Sequence, residues 1–330
     1  MTTITERALS SAPLHQSNAN DILQEVSSLV PDLTPTIANI VQHPLASGVH
    51  GDIWRGSLLG KPVALKTMAR FFSYVEAKKR RNKMERLMNE LTTWVQMRHP
   101  NLLELYGVCE RGRHGVALVS PWMEHGTVRD YLKIYPEARR SPLVLDVVHA
   151  LAYMHSLQPP IVHGNLLLEN ILVRPSGQVC VAGFAMAGFL RDPDAHLMDF
   201  DRYTGSPRFM APELIFNNEY GKTQIGSFTP ASDVYAFGMV AYVLYSDRVP
   251  FHHITNKYVV PRAVHAREQP SHPGAEAVER GLSDEMWAIM QDCWCSRPEE
   301  RPSTTQLTQR IPAATTSNMH SSTMELRHKL

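Results

Sequence analysis

An excess of charge of either sign is missing from this sequence. Its 33 Lys and Arg stand against 32 Asp and Glu, a formal charge of +1 over 330 residues. Such a chain has no general electrostatic attraction for nucleic acid or an anionic membrane, which leaves only local patches to consider. Cysteine is scarce too. Cys109, Cys180, Cys293 and Cys295 include no pair with zinc-knuckle spacing, so buried, free thiols in a reducing compartment are the expectation. Long apolar runs are absent: the longest uncharged one, residues 234–246, is too short to span a bilayer and reads as a core helix. The first residues lack the basic-then-apolar order of a secretory signal. These absences give the expectation of a cytoplasmic protein with no transmembrane segment and no nucleic acid partner.

What is present is enough apolar content, 43%, to bury a substantial core. Residues 1–20 are rich in Ser, Thr and Ala without apolar period and read as a disordered tail. Over 21–44 the apolar positions Ile22, Leu23, Val26, Leu29 and Val30 give one helical face, so a short helical extension is expected there. A long helix is predicted from about Tyr74 to Met97, with Met84, Leu87, Met88, Leu91, Trp94 and Val95 at helical spacing. Residues 102–108 and 116–120 read as strands around a polar hairpin. Two further apolar strands flank Pro175-Ser176-Gly177, a tight turn. The last residues, 312–330, read as a flexible tail.

The motifs carry more than the periods do. Ala46-Ser47-Gly48-Val49-His50-Gly51-Asp52-Ile53 resembles the Gly-rich loop of the eukaryotic protein kinase family, with Ala46 in place of the first Gly. Val63-Ala64-Leu65-Lys66 matches that family's Lys-bearing strand, Glu90 sits on the following helix, and His99-Pro100-Asn101 closes it. Val162-His163-Gly164-Asn165-Leu166-Leu167-Leu168-Glu169-Asn170 resembles the catalytic loop, and Ala182-Gly183-Phe184-Ala185 the metal loop. Ala211-Pro212-Glu213, Asp233-Val234-Tyr235-Ala236-Phe237-Gly238 and Arg297-Pro298 to Arg301-Pro302 follow in the family's order. The wording at 118–123 and 155–164 is similar to kinase-like proteins of mushroom-forming fungi in the tyrosine-kinase-like group.

The resemblance implies an α+β, bilobal kinase-like fold over 45–311, with an N-lobe at about 45–120, a hinge at 121–124 and a C-lobe at 125–311. It implies that Lys66 grips nucleotide phosphates and pairs with Glu90. Gly48, Gly51, Ile53, Ala64, Ser120, Met123, Asn170 and Leu172 would complete the nucleotide site. Trp94, Leu105, His163 and Phe184 would form the internal stack, and Glu213 would pair with Arg301.

Two positions break the pattern. Asn165 stands where the family has its catalytic-base Asp, and Gly183 where it has the metal-binding Asp. An amide takes no proton from a hydroxyl at useful pH. Asn170 alone is a neutral, weak ligand for magnesium, which is normally held by carboxylates, phosphates and water. Gly164 replaces the Arg that reads a phosphorylated activation segment, and Leu167 replaces a Lys found in many relatives. The expectation is a pseudokinase, a scaffold or allosteric partner with ATP bound weakly or not at all and magnesium doubtful. The alternative is a weak or unconventional ATP-dependent protein kinase. Partners would be other proteins, with an active kinase relative or a second copy as the family-based guess. The run Lys78-Lys79-Arg80-Arg81-Asn82-Lys83 is a solvated helix face on the plain account and a docking patch for an acidic partner on the sharper one.

Overall fold

A computed structural model describes residues 23–24, 26–48, 51–67, 87–111, 115–190 and 206–314. Expectations for the N-terminal tail, the basic run at 78–83 and the stretch 191–205 lie outside the described residues. The chain divides into two units: Met1–Met88 with Tyr106–Ser120, and Asn89–Leu105 with Pro121–Leu330. The first is built on a β-sheet and the second is mainly helical, a mixed α+β fold.

In the smaller unit, strands β1 (Ile37–Ala38), β2 (Ala46–Gly48), β3 (Gly51–Leu58), β4 (Lys61–Thr67), β5 (Gly107–Glu110) and β6 (Val116–Pro121) form one sheet of order β1-β3-β4-β6-β5, with β2 also on β3. A two-residue loop joins β3 to β4. Leu59 and Gly60 both have positive φ, 49° and 79°, the type I′ geometry whose twist suits a hairpin. Alternation then sorts the side chains. Trp54, Val63, Leu65, Cys109, Ala117 and Val119 form a buried apolar cluster on one face.

That face is covered by the N-terminal extension. The Val108 N–H donates to Pro31 O at 2.9 Å, Leu33 N–H returns to Val108 O at 2.7 Å, and Glu110 N–H donates to Thr34 Oγ1 at 2.9 Å. The chain then crosses the sheet, packs Leu33, Ile37, Ile40 and Val41 on the cluster, and pairs β1 with Leu58 and Ser57 of β3. A Cβ on Gly107 would lie 2.3 Å from Pro31 O, so only glycine permits this approach. The extension is therefore mostly extended where a helix was expected. Among the described residues of this extension, helical geometry is confined to 23, 24 and 26, and Thr34–Thr36 adds one 3-10 turn. Pro31 and Pro35 explain the difference: each lacks an N–H and biases its predecessor away from α geometry.

The predicted strand 102–108 is also divided. Leu103 N–H donates to Val181 O in the larger unit, whereas Tyr106 N–H donates to Val119 O in the smaller one. The run passes from one unit to the other, so it cannot pair as a single strand.

The larger unit contains α1 (residues 89–95 of a helix described from 87), α2 (Val128–Ile134), α3 (Arg140–Ser156), α4 (Ala185–Leu190), α5 (Pro212–Ile215), α6 (Pro230–Ser246), α7 (Val260–His265), α8 (Ala275–Glu279), α9 (Asp284–Cys293) and α10 (residues 304–314). Strands β7 (Ile171–Val173) and β8 (Val179–Val181) flank the predicted turn, where Gly177 has φ 82°. Helix α6 is the centre. It is apolar on most sides and nearly all buried, and at its start the Thr229 N–H donates to Ser232 Oγ at 3.1 Å. Gly238 lets α9 approach: a Cβ there would lie 2.7 Å from Cys293 Cβ. Helix α10 runs into the stretch read above as tail, with Ala314 buried and its carbonyl accepting from Ser283 Oγ at 3.1 Å. No helix among the described residues is long and apolar enough to cross a membrane.

Candidate functional site

The register of the small sheet places several predicted site residues together. Ile53 pairs with Lys66 and Arg55 with Ala64, so these share the face opposite the Trp54 cluster. Ser120 shares that face by alternation with Ala117 and Val119 along β6. Gly48 pairs with Gly51 in the β2–β3 hairpin, and Gly51, at φ 120°, has Thr67 O only 2.0 Å from where a Cβ would sit.

Glu90, Met123, Asn165, Asn170, Leu172 and Gly183 belong to the larger unit. Glu90 is buried on α1. Leu172 pairs with Cys180 across β7–β8, and the Cys180 thiol lies 3.8 Å from Met123 Sδ. Burial lifts that thiol to about 11, as it does for Cys109. Both are inert at neutral pH.

The catalytic-loop segment hangs from Asp233 at the start of α6. Its carboxylate accepts from His163 N–H at 2.7 Å and Gly164 N–H at 2.9 Å, and His155 Nε2 lies 2.9 Å away. Two backbone donors are thereby satisfied by one side chain. His163 is fully buried and its tautomer follows from its partners: Nε2–H donates to Ala182 O at 3.0 Å, and Nδ1 accepts from Asn165 N–H at 3.2 Å. Its ring packs on Phe184, with centroids 5.9 Å apart, and Phe184 packs on Trp94 at 5.4 Å. Trp94 Nε1–H donates to Leu103 O at 2.6 Å. Three of the four residues assigned to the internal stack are thus in contact within one unit.

Burial holds His163 below its ordinary 6.5, against the opposing pull of Asp233 and the Ala182 carbonyl. The folded state keeps this ring neutral while the unfolded chain protonates it below 6.5. Its contribution is therefore complete above that value and is lost as pH falls through it. Melting temperature is expected to drop from about pH 7.5 to about pH 5.5, with a shallower drop in His163→Gln. An identical pH slope in the variant would remove His163 from the account.

The two altered motif positions are occupied in a definite way. Gly183 has φ 84°, and a Cβ there would stand 2.4 Å from Asn170 Oδ1. The Asn170 amide packs against the bare glycine and donates to Asn165 O at 2.9 Å, while its backbone carbonyl accepts from Ala182 N–H at 2.8 Å. The Asn170 amide thus lies where a side chain at position 183 would begin. Asn165 Oδ1 is buried without a protein partner, beside a cavity of about 20 Å³ also lined by Leu166, Phe209 and Met210. That is room for one water. Gly164, at φ 72°, is enclosed as well: a Cβ would meet Met186 Cγ at 2.5 Å and Leu190 Cδ1 at 3.1 Å, both on α4. The metal loop runs directly into that helix, and Ala185 begins it where the family has a flexible Gly. The missing Arg at 164 can be read from the motif, but that α4 occupies the vacated space cannot.

Behind the site, Glu213 and Arg301 meet in a fully buried, bidentate pair with both contacts at 2.7 Å. Arg301 also donates to Ala231 O and Cys295 O and lies over the Tyr235 ring. Sequence reasoning missed Arg208. Its guanidinium donates to the carbonyls of Pro250, Phe251, Ile254 and Thr255, tying the segment before α5 to the loop after α6. Among the described residues no group of three or more His, Cys, Asp or Glu is placed to hold a metal ion.

The sequence profile of the protein tyrosine and serine/threonine kinase family matches residues 40–311. The chain belongs to that family. This kinase-like chain is 24% identical over 271 residues to the serine/threonine-protein kinase TNNI3K of Mus musculus, covering 81% of the chain and 30% of the relative. It is 28% identical over 278 residues to the tyrosine-protein kinase Srms of Homo sapiens, covering 82% and 51%. To the receptor-interacting serine/threonine-protein kinase 3 of Rattus norvegicus it is 29% identical over 238 residues, covering 66% and 46%. The kinase-like chain therefore spans about half or less of the length of these curated relatives.

Proposed function

We propose that this kinase-like domain is a pseudokinase that works as a cytoplasmic scaffold or allosteric partner for other proteins, an active kinase relative or a second copy among them. One observation carries the reading: Asn165 and Gly183 stand at the base and metal positions, and the Asn170 amide packs into the space a Gly183 side chain would need. Phosphoryl transfer depends on placing a metal against the phosphates and on stabilising their charge. A neutral Asn170 whose amide is directed to Asn165 O supplies neither. The packed Trp94–Phe184–His163 stack and the Asp233 anchor supply the rigid body a scaffold needs. Lys66, Gly48, Gly51, Ile53, Ala64, Ser120, Met123 and Leu172 are then the remnants of a nucleotide-binding set. We place the chain with the tyrosine-kinase-like proteins of mushroom-forming fungi on the wording at 118–123 and 155–164.

A second reading, weak ATP-dependent phosphotransfer, is favoured by retained Lys66, Glu90 and Asn170 and by relatives named as kinases. Thermal unfolding with ATP or ADP, each with and without Mg²⁺, separates the two. A ligand that binds only the folded state raises the midpoint by mass action. The expected result is no metal-dependent shift. A shift that requires Mg²⁺, followed by phosphotransfer that Lys66→Met abolishes, would establish the second reading instead.

A further inference from the structure

The acid-free stretch 248–267 is a local concentration of positive charge. It carries Arg248, Lys257, Arg262 and Arg267 together with His252, His253 and His265, and not one Asp or Glu, although the whole chain is close to neutral. Asp247 and Glu268 bound it on either side. The fold turns this run outward. Only Val260, Ala263 and Val264 of α7 are buried, so the helix anchors by one stripe and presents the other. On the presented side Tyr258 is 73% exposed and Val259 41%, and Arg262 lies one turn from Tyr258. Arg248 lies 3.8 Å from Glu276 and His265 3.4 Å from Glu219, but the cations around Tyr258 are held otherwise. Lys257 lies over the Tyr258 ring, and neither Arg262 nor Arg267 has an ion-pair partner among the described residues.

A groove of about 780 Å³ continues from this surface, floored by Phe216, Tyr220 and Val264 and edged by Arg267 and Arg297. Its two acids are already engaged, Glu219 with His265 at 3.4 Å and Glu300 with Arg297 at 2.9 Å. Arg262 and Arg267, which have no ion-pair partner among the described residues, together with an exposed tyrosine and an apolar floor form the composition of a protein-binding centre rather than of a merely solvated face.

We propose that the surface formed by Lys257, Tyr258, Val259, Arg262 and Arg267 docks an acidic protein segment that carries an apolar anchor. The carboxylates meet the arginines, and the anchor packs on Tyr258 and Val259 and enters the neighbouring groove. Charge complementarity selects this occupant, because the stretch offers cations and no acid to repel a carboxylate. The inference concerns binding alone and goes beyond the nucleotide-site reading.

The test uses the full chain and a fluorescein-labelled Asp/Glu-rich peptide with a central Leu-Phe pair, followed by fluorescence anisotropy. Saturable binding is expected, weakening as salt rises. Arg262→Glu with Arg267→Glu, and separately Tyr258→Ala, are each expected to lower affinity about tenfold or more. Lys61→Glu, an exposed change in the other unit, is expected to leave affinity unchanged. Equal melting temperatures for the variants exclude loss by unfolding. Absence of saturable binding, unchanged affinity in the charge-reversal variant, or an equal loss in Lys61→Glu would overturn the proposal. Binding to phosphatidylserine vesicles without peptide binding would also overturn it, in favour of a membrane surface. None of these results involves nucleotide, so they leave the pseudokinase reading to its own test.

Discussion

Glu213→Ala is expected to destabilise the larger unit by about 3–5 kcal/mol, the most damaging single change considered. Both members of the Glu213–Arg301 pair are fully buried, and two contacts of 2.7 Å align the guanidinium with the carboxylate. Removing the acid leaves a cation enclosed with only the Ala231 and Cys295 carbonyls and the Tyr235 ring for company. Those dipoles cannot replace a formal charge in a low-dielectric interior. The melting midpoint should fall by roughly 5–15 °C. Glu213→Leu combined with Arg301→Met should recover most of the loss, because an apolar pair of similar volume has no desolvation cost to offset. If Glu213→Ala melted within a degree or two of the parent, the pair would be structurally idle.

The second large effect runs against intuition. Gly164→Arg restores the residue that the kinase resemblance implies, yet it is expected to lower stability by about 2–5 kcal/mol. Two costs combine. Gly164 holds φ 72°, a left-handed conformation that L side chains adopt at a cost. Its would-be Cβ also falls within 2.5 Å of Met186 Cγ and close to Phe228 and Leu190. Urea unfolding monitored by Trp fluorescence measures the loss. Gly164→Ala should carry part of it, and adding Met186→Ala should return the steric share but not the backbone share. A neutral Gly164→Arg would mean that α4 packs elsewhere in solution. The same logic applies at Gly183, where an added Asp must first displace the Asn170 amide.

How much was legible beforehand depended on whether the signal was a spacing or a shape. The kinase resemblance implied the Lys66 strand and the Glu213–Arg301 pair, and the apolar runs around Pro175-Ser176-Gly177 implied the β7–β8 hairpin, because each is tied to residue types along the chain. Shape was different. That Met186 fills the side of Gly164, or that Asn170 leans on Gly183, depends on how α4 and the loop at 165–170 meet in space, and no period encodes it. Some misses did leave a trace. Pro31 and Pro35, four residues apart, argue against a continuous helix over 21–44, although the apolar face of Val26 and Val30 is the louder local signal. The division of 102–108 left none, since a run that serves two units looks like one strand.

The crossing of the N-terminal extension limits how the small sheet can meet another protein. Both long sides of the sheet are closed by the chain's own backbone: residues 31–33 lie along β5, while β1, β2 and the bonds from Val41 and Leu45 line β3. What remains outermost among the described residues is the two-residue β1, the three-residue β2 and a stretch between prolines, none of which templates a further strand. Strand addition by a peptide, or edge-to-edge pairing of two copies, has no purchase there. A protein that engages this unit must therefore grip it through side chains, or first peel away the segment that covers it.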